Sequence, residues 1–332
     1  DHQVPSPPQD SISSLKFAPS PRPDIFCTGA WDNTVNVYQY QRSGLEIQSK
    51  PVLQIPATAH TQAVLAVGWK PDATQIFTGS VDKTGKIWDL NSNQVLQYAA
   101  HNEAIKSAFW VDGYNMVVTG SWDKTLKYWP SQSFGQGNPA ATVNLSDKVY
   151  AMDVKGDTLV VACADKQIHI IDLRNPSAIV KSQASPLRHQ IRTVSIFHDR
   201  KGYAIGSIEG RVQIMHFADS EQVKNFAFKC HRDTTTQDIY AVNCIVFHNQ
   251  YGTFCTAGSD GTFHFWDKDA KQRLKGFNKL ANSISACDFN ASGDTFAYAI
   301  GYDWSKGYDQ QNRNGESIWL HAVQESEIKP KK

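Results

Sequence analysis

Threonine, histidine and aspartate recur together at fixed spacings in this chain, and these are the residue types of a nucleophile–base–acid relay. Thr78 and Asp82 lie four apart, with His60 22 residues before the acid; Thr119, Asp123 and His101 repeat that spacing. Thr256 and Asp260 repeat it again, with His231 29 residues upstream of the acid. Six residues past each acid stands a tryptophan: Trp88, Trp129 and Trp266. One chemistry that fits is acyl transfer by a Thr-His-Asp relay. The other is a buried hydrogen-bonded chain running from Asp through His and Thr to Trp. A catalytic relay occurs once, beside an oxyanion hole, whereas this set returns unit after unit. No Gly-x-Ser-x-Gly elbow, phosphate loop or His-Glu-x-x-His motif is present, and the histidines lack metal-ligand spacing. The sequence therefore assigns no catalytic residue, no metal, no cofactor and no small-molecule substrate. It predicts structural tetrads, each polar group partnered, because losing one partner in a buried chain costs roughly 1–3 kcal/mol.

The elements that position these residues are repeated turns. Thr28-Gly29-Ala30-Trp31-Asp32, Thr78-Gly79-Ser80-Val81-Asp82 and Thr119-Gly120-Ser121-Trp122-Asp123 are three copies, and weaker ones end at Asp165, Glu209, Asp260 and Asp303. Asp32 to Asp303 spans 271 residues in six steps, about 45 per step, the period of WD repeats. Within a unit, runs such as 105–109, 116–119 and 126–129 alternate with period two, so they read as strands. The prediction is an all-β chain, a seven-bladed WD-repeat β-propeller over 1–332, with a short N-terminal arm (1–10) and a basic C-terminal tail (325–332). The strand that closes the seventh blade comes either from the stretch near Val4 or from the region 318–322.

The composition agrees with an ordered core: 41% hydrophobic residues with 9 Trp, 12 Tyr and 16 Phe. No apolar run approaches the roughly 18 residues of a membrane span, so no membrane insertion is expected. The six cysteines form no Cys-x-x-Cys pair and read as buried free thiols. A net charge of +1 excludes a global basic field, so any nucleic-acid binding must be local.

Function is expected where units depart from the repeat. Trp31, Trp122 and Tyr302 directly precede turn acids, at the rim of the turn-bearing face, where exposed rings serve as binding anchors or pack on a neighbouring loop. Two spacings are long, 50 residues from Asp32 to Asp82 and 51 from Glu209 to Asp260; the second contains the loop 233–237. Phe226 and Phe228 share one strand face, flanked by Lys224, Lys229 and Arg232, while Lys268, Lys271, Arg273, Lys275 and Lys279 follow Trp266. Cations beside rings suit single-stranded nucleic acid, the charges following phosphate and the rings stacking bases.

These residues carry a resemblance. The stretches 6–12, 119–129 (TGSWDKTLKYW), 185–192 (SPLRHQIR), 206–212, 226–232 (FAFKCHR), 238–243, 265–270 and 296–307 (FAYAIGYDWSKG) resemble, in order along nearly the whole chain, the WD-repeat mRNA export factors of the nuclear pore, in a short-looped form that looks fungal. The resemblance implies a non-enzymatic adaptor that binds the GLEBS hairpin of an FG-repeat nucleoporin and single-stranded RNA within messenger ribonucleoprotein. It implies a location at the nucleus, the pore complex and the envelope rim, also in the cytoplasm, and mitotic checkpoint proteins as further partners. It places ligand contacts in a side groove at Arg211, Phe226, Phe228, Trp266, Asp267, Lys268, Lys271 and Arg273, and the hairpin on the face of Trp31, Trp122 and Tyr302. Trp266 is thus claimed by both the tetrad and the groove. A generic scaffold is the alternative, such as a ubiquitin-ligase substrate receptor docking through Asp172-Leu173-Arg174.

Overall fold

The computed structural model describes residues 1–55, 59–233, 235–305, 307 and 315–331. Thr234 of the second long loop, Lys306 of the stretch 296–307 and Lys332 of the tail lie outside the described residues. Seven antiparallel sheets of four strands make seven blades. Blades 1 to 6 each use four consecutive strands, beginning at Ile12, Val64, Ile105, Val149, Ile191 and Val242. Blade 7 combines Ile284–Phe289, Thr295–Ile300 and Ser317–Ala322 with the N-terminal strand His2–Gln3 as its outer edge. His2 pairs with Leu320 and Gln3 with Trp319, so 318–322 is the third strand and the N-terminal arm closes the ring.

The turn chemistry explains the repeat. In blades 1, 2, 3, 4, 6 and 7 the turn acid accepts the N–H two residues on, for example Thr84 N at 2.9 Å and Thr125 N at 3.1 Å. The residue between them is left-handed in every blade: Asn33, Lys83, Lys124, Lys166, Gly210, Gly261 and Trp304 have φ of 61–74°. The glycine that directly follows Thr in the second strand's Thr-Gly pair lets blades approach. A Cβ on Gly79 would lie 2.5 Å from Ile105 of the next blade. Each inner strand bulges at its second residue, between Ile105 and Ser107 in blade 3 and at the matching position in the other six.

Within the basic C-terminal tail (325–332), Glu325–Ile328 is a short helix with a Gln324/Glu327 capping box, and Glu327 and Ile328 are buried. Its anchor is Ile328, which packs into the apolar cluster of blades 6 and 7. His321 joins the two termini, bonding Asp1 through Nδ1 (2.7 Å) and Glu327 through Nε2 (2.9 Å). All six cysteines are free, but Cys244 is only half-buried.

Candidate functional site

The three predicted tetrads are not equivalent. In blade 3, His101 Nδ1 donates to Asp123 (2.9 Å), Thr119 Oγ1 donates to His101 Nε2 (2.7 Å) and Trp129 Nε1 donates to Thr119 Oγ1 (2.8 Å). Blade 6 repeats this with His231–Asp260, His231–Thr256 and Trp266–Thr256, all at 2.9 Å. Blade 2 keeps His60–Asp82 (2.8 Å) and His60–Thr78 (2.7 Å), but Trp88 Nε1 donates to Asn93 Oδ1 (2.9 Å) instead of Thr78. The correction has a local cause: Asn93 sits left-handed (φ 55°) and presents its amide to the buried indole. His264 joins His231 and Asp260 in a cluster of metal-ligand type, yet Thr262 Oγ1 occupies its centre, 2.8 Å from Asp260 and 3.2 Å from His264. Burial, with His231 and Arg273 nearby, holds His264 down to about 4, so it stays neutral.

The turn-bearing face carries different rings from those expected. Trp31 is 44% exposed. Trp122 is half-buried against Ala63, Leu65 and Ala104. Tyr302 is 9% exposed, which corrects its reading as a rim anchor. The closure of blade 7 on blade 1 buries it: its N–H donates to Glu316 (3.3 Å), its hydroxyl donates to Gly307 O (2.8 Å), and Ser11 Oγ donates to its carbonyl (3.0 Å). Trp304, missed because it follows the turn acid instead of preceding it, is 39% exposed and lies 6.1 Å from the Tyr302 ring.

Glu316 beneath this rim has one oxygen with no donor among the described residues, and burial pushes the carboxyl up to about 7. The folded chain holds that proton where an unfolded carboxyl, near 4.5, has lost it. Stability from this group is therefore present at acid pH and lost as pH rises through 7. Glu316→Gln should raise stability at pH 8 by about 1–2 kcal/mol after screening, and by little at pH 5; melting curves at both pH values check it.

On the side of the ring, the outer strand of blade 5 (Phe226–Lys229) faces blade 6. Phe226 and Phe228 stack at 6.1 Å, and Phe228 meets Trp266 at 4.6 Å. Lys271 Nζ stands 5.0 Å over the Phe226 ring and Lys268 Nζ 5.1 Å over Phe197. Arg273 is exposed on the outer strand, paired in register with Trp266. Six of the eight predicted groove residues therefore converge. Trp266 has both places, its N–H in the tetrad and its ring in the groove wall. Asp267 is buried and caps its own turn, accepting from Asp269 N (2.8 Å) and Ala270 N (3.1 Å), which corrects its reading as a ligand contact. Arg211 lies toward the turn face, opposite Lys229 in register, 3.5 Å from Glu209. In the rival docking tripeptide, the Arg174 guanidinium folds back onto Asp172 at 2.9 and 3.0 Å.

This fold defines a WD-repeat propeller, a scaffold class that presents rigid surfaces. The WD domain, G-beta repeat family matches residues 3–39, 50–89, 92–130 and 222–267. Over its full length the chain is 46% identical to the mRNA export factor GLE2 of Chaetomium thermophilum, covering 92% of that protein. It is 45% identical to the Poly(A)+ RNA export protein of Schizosaccharomyces pombe, of which it covers 93%. Over 99% of its length it is 51% identical to Protein RAE1 of Arabidopsis thaliana, again covering 93%. The chain belongs to the mRNA export factor family, and a role in mRNA export comes with that membership.

Proposed function

We propose that this propeller is a non-enzymatic adaptor that holds the GLEBS hairpin of an FG nucleoporin on its turn-bearing face and single-stranded RNA in its side groove, at the nuclear pore. The observation behind this reading is that one rigid ring bears two chemically different surfaces. The turn face offers exposed indoles at Trp31 and Trp304 around the mouth of a central channel. The groove offers Phe226, Phe228 and Trp266 beside Lys271 and Arg273, for which no carboxylate partner occurs among the described residues. An adaptor needs such separate surfaces, and rings with cations suit bases and phosphates.

The hairpin reading is tested at Trp31, because Trp122 also packs the interior. Trp31→Ala should weaken binding of the GLEBS segment by roughly 30-fold, about 2 kcal/mol for a central anchor, with an unchanged melting temperature. Wild-type affinity in a titration of this variant would remove Trp31 from the contact.

A further inference from the structure

Serine directly precedes proline at three places in the chain, Ser6, Ser20 and Ser185. A cation stands three residues after the serine only in Ser185-Pro186-Leu187-Arg188; Gln9 and Pro23 hold that position in the other two. Kinases select substrates by such local charge patterns, and one class reads proline after the serine together with a cation at the third position. The segment lies in the connection from blade 4 to blade 5. The outer strand Ile179–Ala184 ends just before it, and Ile191–Ile196 begins the next blade.

This connection is open to a kinase and furnished for a phosphate. Pro186, Arg188 and His189 are exposed, and Ser185 is half-buried. The backbone is tied at its ends, Ser185 N–H donating to Lys166 O (2.9 Å) and Ile208 N–H to Gln190 O (3.1 Å). Between those ties, residues 186–189 make no backbone–backbone hydrogen bond among the described residues. Such a stretch, held by the one buried side chain of Leu187, opens locally at low cost. Ser185 Oγ accepts Leu187 N–H at 3.1 Å, and its own proton has no acceptor among the described residues. Lys166, exposed in the turn of the same blade, donates from Nζ to Arg188 O (3.2 Å). Neither Lys166 nor Arg188 has a carboxylate partner among the described residues, and the turn acid Asp165 takes Gln167 N–H at 3.0 Å.

We propose that Ser185 is a phosphorylation site for a proline-directed kinase, and that Lys166 and the Leu187 N–H receive the phosphate and fix the connection between blades 4 and 5. In the transfer, the bond from the γ-phosphorus of ATP to its bridging oxygen breaks and the bond from that phosphorus to Ser185 Oγ forms. ADP leaves, and the hydroxyl proton passes to the kinase's catalytic carboxylate. The product carries about 1.5–2 negative charges at pH 7. Its oxygens take over the Leu187 N–H that Ser185 Oγ now holds and draw in the Lys166 ammonium, already tied to the same segment through Arg188 O. Charge-assisted hydrogen bonds of this kind are roughly twice as strong as neutral ones. A segment that the unmodified chain ties only at its ends is thereby held in its middle.

The test incubates the full chain with a cyclin-dependent kinase and Mg²⁺–ATP and maps the phosphate by mass spectrometry of fragments. One phosphate is expected on Ser185 and none at that position in Ser185→Ala. Arg188→Gln should take it up about tenfold more slowly while melting as the wild type does. No uptake at Ser185, or uptake at Ser6 or Ser20 alone, overturns the site. The receptor is read by phosphorus NMR of the modified chain. The second pKa of a phosphoserine is about 6, and beside Lys166 that midpoint should fall by about half a unit or more. Lys166→Gln, outside the segment the kinase reads, should return it to about 6, and Lys166→Arg should keep it low. A wild-type midpoint of about 6, or a lowered one that Lys166→Gln leaves in place, overturns the receptor and the fixed connection with it.

Discussion

Asp123→Ala should destabilise the chain by about 3–5 kcal/mol at pH 7, because it leaves several buried donors without their acceptor at roughly 1–3 kcal/mol each. Four donors converge on this carboxylate: His101 Nδ1 and Asn102 N at 2.9 Å, Thr125 N at 3.1 Å and Thr125 Oγ1 at 2.6 Å. Removing it strands His101 inside the blade and loosens Thr119 and Trp129 behind it. Burial by itself would raise this carboxyl; the bonds from His101, Thr125 and Asn102 outweigh burial and hold it far below the usual range. His101 is lowered, chiefly by burial. The stability from Asp123 is therefore full above its unfolded value of 3.8 and is lost as pH falls below it. Urea melts should show the widest gap between wild type and variant at pH 7, a smaller one at pH 3, and a gap that goes on shrinking as pH falls further toward the folded value. An equal gap at both would mean the carboxylate acts by packing alone.

The second large effect is expected in the groove. About four phosphate contacts give a log–log salt slope near −3 for a single strand. Lys271→Ala with Arg273→Ala should halve that slope, since both cations are exposed and outside ion pairs among the described residues. Phe226→Leu should act differently. It keeps apolar volume but removes a stacking face, so binding should weaken by about 1–3 kcal/mol at every salt concentration with the slope intact. Lys271 already covers the Phe226 ring at 5.0 Å, so a stacking base must displace it toward phosphate. A flat salt response of the wild type, measured by fluorescence anisotropy with a labelled oligonucleotide, would make the cluster decorative.

How far the sequence carried varies with the range of the interaction. The turn at Asp82 needs only Asp82, the left-handed Lys83 and Thr84, three neighbours in the chain, and the same spacing announced it in the other blades. Trp88 and Trp129 occupy the same position six residues past an acid, yet their indoles find different partners, because Asn93 intervenes in one blade and nothing equivalent does in the other. The tail looked like isolated charge because a four-residue helix is too short to show a period, and its anchor Ile328 is a single residue. Tyr302 looked like Trp31 by position; Ser11 and Glu316, distant in sequence, bury it.

The sequence by itself determined the seven turns, the all-β class, the tetrads of blades 3 and 6 and the pairing of Phe226 with Phe228. Each depends on contacts within one blade, where spacing along the chain is spacing in space. Only the closed ring decided that His2–Gln3 seals blade 7, that Trp266 stands against Phe228 and that Ser11 and Glu316 meet at Tyr302. Those meetings join separate blades or the two ends of the chain, and a period of about 45 residues fixes how many blades there are without fixing which side chains meet between them.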